Sequence, residues 1–403
     1  MQATSTSFLS DRVNNMEESA TLLMSKLARE LTDEGHHVIS LSLGEPDFDT
    51  PDHIKTFAKE ALDQGYTKYT PVSGLPELRK AIITKFKRDN NLDYAMNEIV
   101  VSNGAKQSIF NICMSLLNEG DEVAVLTPFW VSYSAIIKLA GGTPVYVSAG
   151  IEDDFKVSAD QIKNALTDKT KFVIFSSPCN PTGSVYTREE LSAIAEVIKA
   201  RPNLLVISDE IYEYINFTDT HISIGALPDM KKRTITVNGF AKGFAMTGWR
   251  LGYMGAPAWV ASACTKIQGQ VTSGATSFGQ KAGAEALLAD LSPTHKMKEA
   301  FGKRRTLIID LLNEIPDFKV NYPKGAFYIF PDISAYIGKD LAGGEHFKND
   351  EEFALYLLRT AHVAVVAGSA FGAPGCIRIS YAASDEQLKE AISRIKNCLA
   401  KLV

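Results

Sequence analysis

The chain is poor in cysteine, and its five thiols (Cys113, Cys179, Cys264, Cys376 and Cys398) are odd in number, widely scattered and without a C-x-x-C pair. That pattern argues against a disulfide framework or a zinc site, and a reducing cytoplasm is the expected setting. Basic charge is not in excess either. Lys and Arg number 42 against 47 Asp and Glu, a net charge of −5, the wrong sign for a protein that relies on general attraction to nucleic-acid phosphate. No stretch approaches the roughly 18 unbroken apolar residues of a membrane helix. The first twenty residues, MQATSTSFLSDRVNNMEESA, lack the basic start and apolar core of a secretory signal. Low-complexity tracts, long charge runs and fixed-period repeats are missing too, which sets aside solenoids and disordered tails. With 45% hydrophobic residues over 403 positions, a large soluble enzyme of two or three domains is expected.

What is present is an alternation of short apolar runs and helix-like segments. The runs are Glu98–Ser102, Glu122–Leu126, Thr143–Val147, Lys171–Phe175, Leu204–Ser208, Thr234–Val237 and Leu251–Gly255; amphipathic stretches such as Lys106–Leu117 and Arg188–Ala200 lie between them. Strand runs without clean polar alternation, joined by helices, predict an α/β fold with a mostly parallel sheet covered on both faces. Before it, a flexible arm leads to a helix over Ser19–Glu34, ended by Gly35. After Leu291–His295 the pattern changes: a long helix (Lys296–Ile315), strand-like Lys319–Val320 and Ala326–Phe330, and a Gly-rich interruption (Ile337–His346). A helix (Asp350–His362), strand-like Val363–Val366 and Cys376–Ser380, and a last helix from Ser384 complete a smaller α+β unit. The division predicted is an arm and helix over 1–45 packing with the small domain, a large domain over 46–290 and a small domain over 291–403.

Ligands of such sheets gather at the carboxyl ends of the strands, so those ends carry the candidate residues. Gly104-Ala105-Lys106 follows the first run and opens a helix, where free amides and the helix dipole favour an anion, although many such turns are only turns. Asp209, at the end of a very apolar run, is a helix cap, a metal ligand or the partner of a buried cation. Lys242 stands among Gly, Phe, Ala and Met, company that disfavours its ammonium form and leaves either a nucleophilic amine or a surface lysine. Asn180, in Ser177-Pro178-Cys179-Asn180-Pro181-Thr182-Gly183, is placed to offer a neutral amide to the same cleft. Together these groups match what pyridoxal phosphate needs: a lysine for its Schiff base, a carboxylate for its pyridinium nitrogen, and an anion site supplied by the Gly104 turn and Arg250. No metal site is expected.

At the level of whole motifs the chain resembles the fold-type I pyridoxal-phosphate enzymes, and among them the class I aminotransferases, closest to the bacterial aspartate aminotransferase branch. The strings that carry the resemblance are Gly44-Glu45-Pro46-Asp47-Phe48-Asp49-Thr50-Pro51, Tyr66-Thr67-Lys68-Tyr69, Gly74–Arg79, Asn180–Gly183, Ala241–Arg250 and Arg378-Ile379-Ser380. The implied fold is a large domain with a seven-stranded, mostly parallel sheet between helices, plus the smaller α+β domain. The implied roles are the cofactor lysine and proton carrier for Lys242, the ring-nitrogen partner for Asp209, and contacts to the phenolic oxygen from Tyr212 and Asn180. Trp130 would stack on the ring. Gly104, Ala105, Lys106 and Arg250 would hold the phosphate, joined by Tyr69 of a second subunit in a homodimer with shared sites. Arg378 would grip the substrate α-carboxylate through a bidentate fork, helped by the Gly44 backbone, with Trp130 and Asn180 beside it.

Two departures stand out. Gly239 and Ala241 replace serines that many relatives place near the phosphate, so the anion site leans on Arg250 and the helix terminus. No arginine for a substrate side-chain carboxylate can be placed, and Lys106 is the cation the resemblance offers instead. A stretch where prephenate-using members carry a basic residue reads Glu17-Glu18-Ser19-Ala20-Thr21, which ranks that activity low. The leading expectation is amino transfer from aspartate to 2-oxoglutarate. Transfer from aromatic or neutral amino acids, a C–S β-lyase of the same fold, and a non-catalytic regulator are the alternatives, the last disfavoured by the acidic balance and the lack of room for a DNA-binding domain.

Overall fold

The computed structural model describes residues 8–16, 18–338, 340, 344 and 346–402. Part of the amino-terminal arm, residues 1–7 and Glu17, lies outside the described residues. The first strand, β1 (Ile39–Ser40), precedes a central set: β2 (Ile99–Ser102), β3 (Glu122–Thr127), β4 (Thr143–Ser148), β5 (Thr170–Ser176), β6 (Leu205–Asp209), β7 (Thr234–Gly239) and β8 (Gly252–Gly255). These seven strands, β2 to β8, are the seven apolar runs of the sequence. They form one sheet in the order β2-β8-β7-β6-β5-β3-β4. All neighbours are parallel except β8, which runs antiparallel to both β2 and β7.

Helices cover both faces, and this explains the lack of polar alternation. Val123, Val125, Ile174 and Ile207 face a layer built with Ile109, Ile112, Val260 and Cys264, while Ala124, Val173 and Val206 face Ile162, Leu191, Ile194 and Ile198. Nearly every position of the inner strands is buried, so each reads as one apolar run, whereas the edge strand β4 exposes half of its residues. Each fully buried Ile, Val or Phe contributes about 1.5–3 kcal/mol, enough to hold rigid the strand ends that carry polar groups.

The remaining strands are short. β9 (Tyr328–Ile329), β11 (Val366–Ala367) and β12 (Ile377–Ser380) form an antiparallel sheet in the order β11-β12-β9, and β10 (Val363–Ala364) pairs in parallel with β1. The run expected as one strand, Val363–Val366, therefore serves two sheets. Lys319–Val320 is not a strand: Lys319 makes only an isolated bridge to Asp332. The expected helix Asp350–His362 is α-helical over Asp350–Tyr356 and widens to a π turn over Leu357–Ala361 before His362 ends it at φ 52°. The last helix, Asp385–Leu399, begins where Ser384 and Gln387 cap each other reciprocally. Met24, Ala28, Ile39 and Leu41 share one core with Phe353, Leu357, Ile377 and Ile395, so residues near both ends of the chain pack together. No helix among the described residues is long and apolar enough to cross a membrane.

Candidate active site

The ends of β5, β6 and β7, the turn after β2, the amino-terminal segment, β9 and β12 meet around a cavity of about 240 Å³. Eleven of the twelve positions singled out by sequence line it: Gly44, Gly104, Ala105, Lys106, Trp130, Asn180, Asp209, Tyr212, Lys242, Arg250 and Arg378. The exception is Tyr69, which is 99% exposed and does not reach the cavity of its own chain.

Asp209 closes β6 with its carboxylate buried beneath the cavity. Burial raises its pKa to about 6, against the hydrogen bond that Tyr133 donates to Oδ2 at 2.7 Å and the Ile211 amide on Oδ1. Lys242 lies on the wall, partly buried, its Nζ donating to the carbonyl of Gly44. Burial disfavours its charged form, and the positive charges of Arg378 and Arg250 add to this, lowering its pKa to about 8. Of the two sequence readings of Lys242, the surface lysine is thus the one the geometry rejects. Gly44 uses its carbonyl on Lys242, which leaves only its amide to meet a carboxylate.

The turn after β2 is shaped for an anion. Gly104 adopts φ +83°, a left-handed conformation natural to glycine, and a Cβ there would run into the Arg250 guanidinium. Immediately beyond it the helix Ala105–Leu116 begins, and its first-turn amides have no acceptor within the helix. Arg250, itself at φ 52°, is anchored by donating to the Thr247 carbonyl at 2.9 Å. An N-terminal dipole and a guanidinium converge on one spot, which is the requirement for a phosphate.

Arg378 is the most telling group. It is 2% exposed, Nη1 donates to Asn180 Oδ1 at 2.9 Å, and Nη2 donates to the Ser42 carbonyl. Its guanidinium carbon sits 4.6 Å from the centre of the Tyr328 ring and 4.9 Å from that of Phe371. Among the described residues no carboxylate pairs with it, and Nε has no partner. A buried cation held only by neutral acceptors is costly on its own and invites an anion. Lys106 lines the cavity and is exposed, its Nζ 5.0 Å from the centre of the Trp130 ring; partial desolvation and the charge of Arg250 lower its pKa.

Four groups escaped the sequence reading. Tyr133 holds Asp209, Tyr328 pairs its hydroxyl with that of Tyr212 at 2.7 Å, the Ser42 carbonyl holds Arg378, and Glu45 bonds Thr247 beside the Arg250 turn. Tyr133 had a signal, three residues after Trp130 at the start of the helix Ser132–Leu139. The others depend on contacts between distant segments.

A family model for class I and II aminotransferases matches residues 36–395. The chain belongs to this family. It is 46% identical over 391 residues to a protein of Rhizobium leguminosarum bv. phaseoli named as a probable aspartate/prephenate aminotransferase, covering 96% of this chain and 98% of the relative. It is 47% identical over 389 residues to an aspartate aminotransferase of a Bacillus species (strain YM-2), covering 96% and 98%. The crystal structure of an aspartate aminotransferase from Rhizobium meliloti superposes with a TM-score of 0.95 at 40% identity, covering 98% and 99% of the two chains. The fold expected from the resemblance, a seven-stranded, mostly parallel sheet between helices, is the fold found.

Proposed function

We propose that this aminotransferase uses pyridoxal 5'-phosphate to move the amino group of L-aspartate to 2-oxoglutarate, giving oxaloacetate and L-glutamate. The observation that carries the reading is the charge around the cavity: among the described residues, Lys106, Lys242, Arg250 and Arg378 face a single lining carboxylate, Asp209. The residues fit the cofactor. Arg250 and the Gly104–Lys106 amides would hold its phosphate, Asp209 its ring nitrogen, Tyr212 and Asn180 its phenolic oxygen, and Trp130 one face of its ring. When bound, the cofactor supplies an electron sink for the substrate Cα.

The chain's own residues do the rest. Lys242, with a pKa of about 8, exchanges a proton at Nζ near neutral pH and so can take and return the Cα proton. Arg378 fixes the α-carboxylate by its fork, and Asn180 ties that guanidinium to the ring side of the cavity. With Arg250 assigned to the phosphate and Arg378 to the α-carboxylate, Lys106 is the cation left for the acidic side chain of aspartate or glutamate. Lys106→Ala should lower kcat/KM for aspartate and glutamate by about one to two orders of magnitude, roughly 1.4–2.7 kcal/mol, and leave alanine and phenylalanine nearly unchanged. An equal fall for all four substrates would return Lys106 to the phosphate site.

Prephenate as an amino acceptor is a second reading, favoured by the name of the Rhizobium leguminosarum relative. Glu18 is exposed, Glu17 lies outside the described residues, and Ser19 and Thr21 line the cavity without adding a cation. The test is whether prephenate replaces 2-oxoglutarate as acceptor.

The enzyme is proposed to work in the cytoplasm as a homodimer with shared sites, since Tyr69 stands fully exposed and all five thiols are free and buried. Mixing inactive Lys242→Ala chains with inactive Tyr69→Ala chains should restore part of the activity in hybrid dimers, because one of the two sites then combines an intact Lys242 and Arg250 with an intact Tyr69. A fully active monomer by light scattering contradicts the shared site.

A further inference from the structure

Asp209-Glu210-Ile211-Tyr212-Glu213 is a turn with two sides. Asp209 and Tyr212 face the cavity, while Glu210 and Glu213 point away from it into a buried cluster on the other side of β6. There Glu210 accepts from four groups: His221 Nε2 at 2.9 Å, Ser223 at 2.5 Å and Asn90 Nδ2 at 3.1 Å through Oε2, and Ser208 at 2.9 Å through Oε1. Glu213 is ion-paired with Lys85, which is fully buried on the helix Pro76–Asn90, and accepts from Asn90 Nδ2 at 2.8 Å. Lys85 also donates to Asn90 Oδ1 at 2.6 Å.

Glu210, Glu213 and His221 are close enough to hold a metal ion, but the Lys85 ammonium already supplies the cation. Two carboxylates against one ammonium leave this buried space with one negative charge in excess. A protonated His221 closes the difference, and an unbalanced buried charge is expensive. Burial alone disfavours the imidazolium, but the charge and hydrogen bond of Glu210, with Glu213 behind it, outweigh burial and raise its pKa. The remaining titratable groups nearby are Asp89 with its partner Arg88, and the buried hydroxyls of Tyr94, Tyr214 and Tyr253, whose pKa values burial drives up so that they stay neutral.

We propose that Glu210, Glu213, Lys85 and His221 form a charge-balanced clamp that positions Asp209 and Tyr212 from behind, His221 being its second cation. The clamp rests on the reading of Asp209 as the cofactor's ring-nitrogen partner. It adds that the field at that carboxylate is set by four residues that never touch the cofactor. They are positioning residues, and removing one charge changes the electrostatics at Asp209 in a direction fixed by the sign removed.

The test uses the reconstituted holoenzyme and the pH midpoint of its visible absorption change. His221→Gln leaves the clamp one charge negative and should raise that midpoint by about half a pH unit or more, because nearby negative charge favours protonated forms. Glu213→Gln leaves it one charge positive, with Glu210 still holding His221 protonated, and should lower the midpoint by a similar amount. The double variant restores neutrality and should return the midpoint to that of the parent, although two buried contacts have been lost. Midpoints that stay put in both single variants, or move in the same direction, overturn the clamp, as does a double variant that only adds their effects to a lower melting temperature. A parent protein with no visible band at all instead contradicts the cofactor reading on which the clamp rests.

Discussion

Lys242→Ala should abolish the visible absorption band of the reconstituted protein and lower turnover by more than the roughly 10²–10⁴-fold that one positioned acid–base contributes alone. The expectation follows from three facts about one side chain: it is partly buried on the cavity wall, it donates to Gly44, and its pKa is pulled down to about 8. A lysine with an ordinary pKa is almost wholly ammonium at neutral pH and is neither nucleophile nor base. At about 8, a useful fraction is neutral. In the cofactor-free protein the reaction of this amine with an added aldehyde should therefore rise with pH to about 8 and level off above it. Borohydride reduction of the holoenzyme followed by peptide mapping should place the label on Lys242. A label on another lysine removes the assignment.

The second large effect is expected at Arg378. The guanidinium is buried, satisfied by the neutral oxygens of Asn180 and Ser42, and left without a carboxylate. A substrate α-carboxylate completes that site, and a planar fork is what two parallel bonds require. Arg378→Lys keeps a positive charge but not the fork, and should lower kcat/KM by about 2–5 kcal/mol, roughly 30- to 5,000-fold, for every amino acid alike. The visible band should survive, because no cofactor contact is lost. Loss of the band together with activity would mean that Arg378 holds the cofactor or the fold rather than the substrate. Uniform loss here and selective loss at Lys106 separate recognition of the common end of the substrate from recognition of its side chain.

The strands of the large sheet were legible because sequence and burial carry the same signal there. A strand covered on both faces has no polar side to show, and Val123–Leu126 or Val206–Ser208 advertise this directly. The short strands were less legible. Whether Val363–Val366 is one strand or two depends on β1 and β12, which lie far away in sequence. In the site, residues at strand ends stood out because their polarity interrupts an apolar run: Asp209 after Leu205–Ser208, and Lys242 within Phe240–Ala245. What could not be read locally is what surrounds them. Tyr133 reaching Asp209, Ser42 reaching Arg378 and Lys85 reaching Glu213 are all products of tertiary packing. The same limit applies to Glu210. In sequence it is a second acid beside Asp209; only the fold turns one toward the cavity and the other away from it.

The most direct test of the amino-transfer reading is a single-turnover absorbance titration of purified holoenzyme with aspartate in the absence of any oxo acid. The account predicts that aspartate converts the visible band stoichiometrically to a shorter-wavelength form with release of one oxaloacetate per site, that 2-oxoglutarate then restores the band, and that alanine and phenylalanine do so far more slowly. A band unmoved by aspartate, or one that aspartate converts without release of oxaloacetate, would contradict it.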